Sequence, residues 1–132
     1  MAKPSPQDRR YTKEHEWAKA DGDGTVTMGI TDHAQELLTD VVYVELPAVG
    51  RKVRQQEPIA VVESVKSVSD VYAPVSGEVI EVNQALEASP ELVNKDAFGA
   101  GWIARIRMEA PAELDGLMTA DQYEEHIKAS PH

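Results

Sequence analysis

Residues 61–70 read Val-Val-Glu-Ser-Val-Lys-Ser-Val-Ser-Asp, and the predicted architecture is built around them. Their apolar and β-branched side chains predict two short strands that meet near Lys66. Lys66 is the only Lys or Arg between Gln55 and Asn94. Seven acidic residues share that segment: Glu57, Glu63, Asp70, Glu78, Glu81, Glu87 and Glu91. A lone cation in such a setting is either an ordinary solvated charge or a residue reserved for chemistry.

Further short strands are predicted on both sides of this central run. Alternating or β-branched residues mark the strand segments at 25–29, 41–46, 59–64, 67–72, 77–82 and 102–108. The sequence Asp21-Gly-Asp-Gly24 is a turn signal, because glycine adopts positive φ without a steric penalty. Many short strands at close spacing favour a mainly β protein, either a sandwich or a flattened barrel with peripheral helices.

Two helices have recognisable N-terminal signals. Thr31 can cap a short helix that runs through residues 34–38. Thr119 and Gln122 form a capping box, in which each side chain bonds the backbone amide of the other residue. This box opens a C-terminal helix that we expect to end near Lys128.

Length, charge and composition restrict the possible functions. The 132 residues suit one domain, which we place at 11–128, between a flexible N-terminal arm at 1–10 and a frayed tail at 129–132. The net charge is −10, and the sequence lacks the cluster of basic residues that is typical of a nucleic-acid-binding protein. The absence of cysteine excludes disulfides, cysteine-ligated zinc and a cysteine nucleophile.

The sequence has no segment with the features of a membrane or secretion signal. No apolar run approaches the length of a transmembrane helix, and the N-terminus lacks the apolar core of a signal peptide. We therefore expect a cytoplasmic protein that contacts no membrane, or a mitochondrial one if a transit peptide has been removed.

Enzymatic and metal-binding interpretations are weaker. The four histidines share no metal-ligand spacing, so we predict no metal site. Ser64, Ser67 and Ser69 lie near Lys66, which leaves a Ser–Lys hydrolase as an alternative. No nucleophile elbow or oxyanion-hole motif accompanies these serines. The hydrolase is therefore the less favoured interpretation.

Lys66 itself suits an attachment point better than an enzymatic nucleophile. A Schiff-base lysine requires burial or a second cation nearby, whereas Glu63 and Asp70 flank this one. An amine exposed at the tip of a strand–turn–strand unit is accessible to a modifying enzyme. The pair Val65-Lys66 lacks the Gly or Asn that is usual in two-residue hairpins, so turn chemistry alone does not specify the tip.

Taken in order, the motifs of the chain resemble those of one family, the H protein of the glycine cleavage system, a lipoyl carrier. The resemblance is carried by residues 11–17, 29–35, 44–47, 62–70, 72–78, 90–94 and 99–102. These blocks extend over nearly the whole chain, and the ordered set is highly specific. Thr39 and Gln56 depart from the family, which usually has Gly there. Losing Gly costs backbone freedom if φ is positive at these turns.

The resemblance implies a fold and a set of site residues. The fold is a lipoyl-domain-like flattened barrel or sandwich of two antiparallel sheets, a barrel-sandwich hybrid with short peripheral helices and a C-terminal helix. Lipoate would be amide-linked to Lys66 at a hairpin tip. The surface read by the lipoylating enzymes would comprise Glu63, Ser64, Val65, Ser67 and Asp70. The cleft that shelters the loaded arm would contain Glu14, Glu16 and Asp70.

The resemblance also implies a function in one-carbon metabolism. The chain would be a non-catalytic, monomeric carrier that shuttles the aminomethyl group of glycine on lipoyl-Lys66. Its partners would be the pyridoxal-phosphate glycine decarboxylase (P protein), the tetrahydrofolate-dependent aminomethyltransferase (T protein), dihydrolipoamide dehydrogenase (L protein), which reoxidises the arm, and the lipoate-attaching enzymes.

Several alternatives remain open at this point. A lipoyl donor in lipoate relay, or a carrier paralogue that serves another pathway, would use the same lysine. A biotinyl carrier is less favoured, because its lysine typically lies between two methionines, whereas Lys66 lies between Val65 and Ser67. A purely structural protein would leave Lys66 unmodified.

Overall fold

The computed structural model describes residues 4–129, so the predictions for residues 1–3 of the arm and 130–132 of the tail lie outside the described residues. The strands are β1 (Arg10–Tyr11), β2 (Glu16–Ala20), β3 (Thr25–Ile30), β4 (Val41–Glu45), β5 (Lys52–Val53), β6 (Pro58–Ser64), β7 (Val68–Tyr72), β8 (Gly77–Val82) and β9 (Ala104–Met108). The helices are α1 (Asp32–Leu38), α2 (Ala85–Ala88), α3 (Leu92–Lys95), α4 (Ala112–Asp115) and α5 (Ala120–Ala129). Within residues 4–129, no helix is long and apolar enough to cross a membrane.

The strands form two antiparallel sheets. The larger sheet has the order β1-β2-β3-β9-β8-β5, and the smaller has the order β4-β6-β7. The prediction of a mainly β sandwich with peripheral helices and a C-terminal helix is confirmed. In the part of the chain described here, no strand pairing joins the two sheets, so the fold is a sandwich and not a closed barrel.

The core lies between the two sheets, where alternate side chains of each strand face inward. The larger sheet contributes Met28 and Ile106, and the smaller contributes Val44, Val62 and Val71. All five are at most 2% exposed. Because burying one such side chain stabilises a fold by about 1.5–3 kcal/mol, this apolar layer fixes which face of β6 and β7 points inward.

Both predicted helix starts are confirmed. The Thr31 hydroxyl caps α1 by accepting a hydrogen bond from the amide of Ala34 at 3.2 Å. In the capping box of α5, the Thr119 amide donates to Gln122 Oε1 at 2.9 Å, and the Gln122 amide donates to Thr119 Oγ1 at 3.2 Å. α5 packs on the larger sheet through Tyr123, whose ring lies 4.8 Å from that of Tyr11.

Part of the segment predicted to be a flexible arm packs against the domain. Ser5 is buried and its hydroxyl donates a hydrogen bond to the Glu124 carboxylate. The Arg9 guanidinium lies 4.6 Å from the ring centroid of Trp17. Among residues 4–129, contacts with the domain are therefore present from Ser5 onward, within the segment that we predicted to be an arm. Arg9 and Trp17 are brought together by the β1–β2 pairing, which composition alone does not reveal.

Three non-glycine residues among those described have positive φ. These are His15 at 72°, Thr39 at 65° and Gln56 at 75°. Thr39 and Gln56 are the two positions that we expected to depart from a family glycine, and both occupy backbone that favours glycine. Asn94 holds the Thr39 turn, because its Nδ2 donates to the Thr39 carbonyl at 2.7 Å and its Oδ1 accepts from the Val41 amide at 2.9 Å.

Candidate functional site: a lysine-bearing hairpin beside an acidic cleft

Lys66 lies at the tip of the hairpin formed by β6 and β7. Glu63 pairs with Val68, so the chain reverses over residues 64–67. The Ser64 amide closes this turn by donating a hydrogen bond to the Ser67 carbonyl at 2.8 Å. The prediction of a strand–turn–strand unit with Lys66 at its exposed tip is confirmed.

The side chain of Ser64 organises this turn in the absence of glycine. Its hydroxyl accepts hydrogen bonds from the amides of Lys66 at 3.3 Å and of Ser67 at 3.1 Å. Neither Val65 nor Lys66 has positive φ. A serine that bonds the amides two and three residues ahead is a known substitute for the glycine or asparagine of other turns. The tip is also tied to the start of β4, because the Val65 amide donates to the Asp40 carbonyl at 3.0 Å.

The five residues predicted to be read by lipoylating enzymes have different environments. Val65, Ser67 and Asp70 are exposed, and Glu63 is half-buried. Ser64 is only 7% exposed, and the turn uses its hydroxyl. Ser64 therefore supports the predicted surface from within, through the turn that it holds. The same contacts weaken the Ser–Lys hydrolase, since this hydroxyl does not face solvent as a nucleophile would.

The Lys66 side chain is exposed and unpaired. Among residues 4–129, no hydrogen bond or ion pair involves its ammonium group. The amine is therefore available to a modifying enzyme without the loss of any stabilising contact.

A cavity of about 110 Å³ lies beside this hairpin, and we call it the acidic cleft. Glu14, Glu16 and Asp70 all line it, so the structure brings together the three carboxylates that the sequence analysis grouped. Its walls are apolar side chains from α1 and from both sheets: Ile30, Ala34, Leu37, Leu38, Val62 and Val71. No Lys or Arg of the described chain lines it. The cleft thus combines apolar walls with uncompensated carboxylates.

Glu16 is the buried carboxyl group of the cleft, with 1% of its surface exposed. Its Oε1 accepts a hydrogen bond from the Thr12 hydroxyl at 2.5 Å, and its Oε2 accepts from the Tyr72 amide at 3.2 Å. Burial raises the pKa of Glu16 to about 7, although these two hydrogen bonds act in the opposite direction. The adjacent Glu14 carboxylate raises the pKa further. Glu16 is therefore poised to change protonation near neutral pH.

His15 also lines the cleft, and the sequence analysis did not assign it to a site. Its Nδ1 shares a hydrogen bond with the Tyr123 hydroxyl at 2.8 Å, and that hydroxyl lies 2.7 Å from Thr31 Oγ1. Burial lowers the pKa of His15 to about 4, with smaller contributions from His33 and His126. His15 is therefore neutral at pH 7. The sequence around His15, which lies between two acids, gave no sign that it lines the cleft. The contact that positions it, with Tyr123, joins residues 108 positions apart.

The cleft and the hairpin fit a long, largely apolar arm with a cationic end. Asp70 follows Lys66 by four residues, which corresponds to about 13 Å of extended chain. A lysine extended by an amide-linked lipoyl group spans about 14 Å, so an arm on Lys66 is long enough to reach the cleft. The apolar walls suit the hydrocarbon part of such an arm, and the carboxylates suit an ammonium group.

Comparisons with known proteins agree on one family. A sequence model of the family described as Glycine cleavage H-protein matches residues 9–130. A glycine cleavage system H protein of Thermus thermophilus is 58% identical over 124 residues, which cover 94% of this chain and 96% of that protein. One from Nitrosomonas eutropha is 54% identical over 127 residues, covering 96% and 98%. The crystal structure of a glycine cleavage system H protein from Mycobacterium marinum superposes with a TM-score of 0.84 at 40% identity, covering 97% of this chain and all of the other.

Proposed function

Because the chain belongs to the glycine cleavage H-protein family, we propose that Lys66 is the residue that bears its lipoyl group. Members of this family are non-catalytic lipoyl carriers of the glycine cleavage system, and this chain is such a carrier. The observation that supports Lys66 is its position, unpaired and exposed at a hairpin tip within the central motif at 62–70.

The attached group supplies chemistry that the chain lacks. Lipoate, amide-linked to Lys66, contributes a disulfide that can be reduced and reoxidised, whereas the chain has no cysteine. The protein's own contribution is to present the lysine, to hold the arm and to exclude water from its end. The rigid hairpin and the adjacent cleft provide these three properties.

The acidic cleft is the proposed resting place of the loaded arm. Glu14, Glu16 and Asp70 would hold the ammonium group of the cargo, and the apolar walls would exclude water from it. A cation placed beside Glu16 favours its ionised form, so cargo binding and deprotonation of Glu16 would be coupled.

The partners follow from the same role. The chain serves the enzymes of the glycine cleavage system, and the proposed set is the P protein that decarboxylates glycine, the T protein that transfers the aminomethyl group and the dihydrolipoamide dehydrogenase that reoxidises the arm. An enzyme that attaches lipoate would act first, on a surface formed by Glu63, Ser64, Val65, Ser67 and Asp70. We place the protein in the cytoplasm as a monomer.

Intact-mass measurement and peptide mapping of protein from its own cells test the attachment site. The expected result is the mass of one lipoyl group, confined to the peptide that contains Lys66. A Lys66→Arg variant expressed in the same cells should stay unmodified and should not support glycine cleavage when added to the partner enzymes. Lipoylation of another lysine, such as Lys95, or a bare Lys66 in cells whose other lipoyl proteins are modified, would contradict the proposal.

A further inference from the structure

A row of three side chains, two apolar and one acidic, crosses the solvent-facing side of the smaller sheet. Tyr43 pairs with Glu63, and Glu63 pairs with Val68, so the three side chains point to the same face. Tyr43 is 51% exposed and Val68 is 67% exposed. The neighbouring pair Val44 and Val62 is buried on the opposite face. The sheet therefore has an apolar inner face, as expected, and an outer face that is also partly apolar.

A third exposed apolar residue lies at the tip of the hairpin. Val65, adjacent to Lys66, is 68% exposed. We call Tyr43, Val65 and Val68 the outer patch. Isolated exposed apolar residues are common in soluble proteins, but a cluster of them beside a modification site is typical of a binding surface.

Acidic groups lie within and beside the outer patch. Glu63 lies between Tyr43 and Val68 in the row, and in the next row Val61 pairs with both Glu45 and Asp70. Lys66 is the only cation in β4, β6 or β7 and the turn that joins β6 to β7. The surface that complements this face therefore combines apolar side chains with lysine or arginine side chains that meet these carboxylates.

We propose that the outer patch is the docking surface of the lipoate-attaching enzyme, in addition to the hairpin tip itself. The inference rests on the proposed attachment of lipoate to Lys66. It extends the recognised surface across the sheet to Tyr43 on β4, which is 23 residues before Lys66 in the chain. The enzyme's matching surface combines apolar side chains with basic side chains.

The distance between the Lys66 backbone and the reacting atom distinguishes the lipoate-attaching enzyme from the enzymes that use the finished arm. The Lys66 ammonium lies about 6 Å from its own Cα when the side chain is extended. An enzyme that forms a bond to this nitrogen must therefore contact the residues around the tip. Enzymes that meet the finished arm can bind about 14 Å from the backbone and need not contact the outer patch.

The test is the rate at which the lipoate-attaching enzyme of the same organism modifies the unmodified protein, followed by intact mass. Tyr43→Ser and Val68→Ser, singly and together, remove the two apolar side chains that flank Glu63. Val49→Ser is the matched control, because Val49 is 61% exposed and lies in the loop between β4 and β5. Thermal unfolding and acetylation of Lys66 by a small reagent check that each variant is folded and that its lysine is accessible.

The double variant should lose at least about tenfold in kcat/KM, mainly through KM, while Val49→Ser stays within about twofold of the wild type. Added salt should slow attachment to the wild type, and Glu63→Gln should weaken this salt dependence relative to Glu109→Gln. If the double variant does not fold, the same criterion applies to Tyr43→Ser alone.

Attachment to the double variant within about twofold of the wild-type rate would overturn the docking surface, and so would an equal loss in Val49→Ser. Concentration-dependent dimerisation that the outer-patch substitutions abolish, with attachment unchanged, would assign the patch to a second copy of the chain instead. A wild-type Lys66 that the enzyme does not modify at all would overturn the proposed function itself, and the two failures are thereby distinguished.

Discussion

The hydroxyl of Ser64 lies 3.3 Å from the backbone amide of Lys66 and accepts its hydrogen bond. The same oxygen accepts from the Ser67 amide at 3.1 Å, so one buried side chain sets the backbone on which the lysine is displayed. The conformation of the tip therefore depends on a residue whose side chain is buried beneath it.

Removing this hydroxyl should disturb the hairpin tip. We expect Ser64→Ala to lower the free energy of unfolding by about 1–2 kcal/mol, because two amides lose their acceptor. We also expect slower lipoylation of Lys66, since the tip would sample other conformations. Ser67→Ala is the control for stability alone, because its side chain is exposed and belongs to the surface proposed for the lipoate-attaching enzyme. Urea unfolding and the attachment rate are the measurements, and equal free energies of unfolding for the two variants would contradict the assignment.

Replacing Thr39 by glycine should stabilise the protein. Thr39 has φ 65° and ψ −146°, a region that is essentially restricted to glycine and costs about 1–3 kcal/mol for other residues. Glycine offsets roughly 0.5–1 kcal/mol of this gain in stability, because it loses more conformational entropy on folding. The expected gain for Thr39→Gly is therefore about 1 kcal/mol in urea unfolding. Gly50→Ala, at φ 94°, should change stability in the opposite direction, and a loss of stability in Thr39→Gly would refute the argument.

The raised pKa of Glu16 predicts a pH-dependent stability. The pKa is about 7 in the folded protein, against 4.5 for the free side chain, so the folded state binds more protons between these values. The stabilisation from protonated Glu16 is complete below pH 4.5 and is lost as the pH rises through 7, by about 3 kcal/mol in total. Glu16→Gln should therefore gain stability relative to the wild type across this window, whereas Glu14→Gln, with an exposed side chain, should not. Unfolding curves at a series of pH values measure the difference, and parallel curves for Glu16→Gln and wild type would exclude it.

His15 predicts the opposite slope. Its pKa is about 4 in the folded protein and 6.5 in the free side chain, so the unfolded chain binds the extra proton between these values. This contribution is present above pH 6.5 and is lost as the pH falls through 4. His15→Asn should remove it, and asparagine tolerates the φ of 72° at this position. The measurement is the slope of unfolding free energy against pH, which should become flatter at the acidic side; an unchanged slope would contradict the assignment.

Local sequence signals predicted the parts of the fold that depend on neighbouring residues. The strand at 77–82 and the capping of α1 by Thr31 follow from periodicity and capping chemistry within a few residues. The three carboxylates of the cleft were grouped by family resemblance, and the structure places them together. The burial of Glu16 and the exposure of Glu14 were not predictable, because the two residues do not differ in local sequence chemistry.

Long-range pairing decided the features that the sequence did not reveal. Tyr43 and Val68 share a face only because of the register of β4, β6 and β7. Ser64 looked like a surface residue, since its neighbours Val65 and Lys66 are exposed, but the direction of its side chain depends on the turn. Likewise, the contact of His15 with Tyr123 requires α5 to pack beside β2.

The bond from the Val65 amide to the Asp40 carbonyl has a consequence for how the carrier searches for its partners. It fixes the base of Lys66 to β4, so that the freedom of the arm begins only at the lysine side chain. The end of the arm then sweeps a half-sphere whose centre is fixed on the protein and whose radius is the arm length, about 14 Å. This volume sets the local concentration of the cargo at a docked active site. Loss of the hydrogen bond between Val65 and Asp40 would enlarge the volume and lower that concentration, although no contact with the cargo would change.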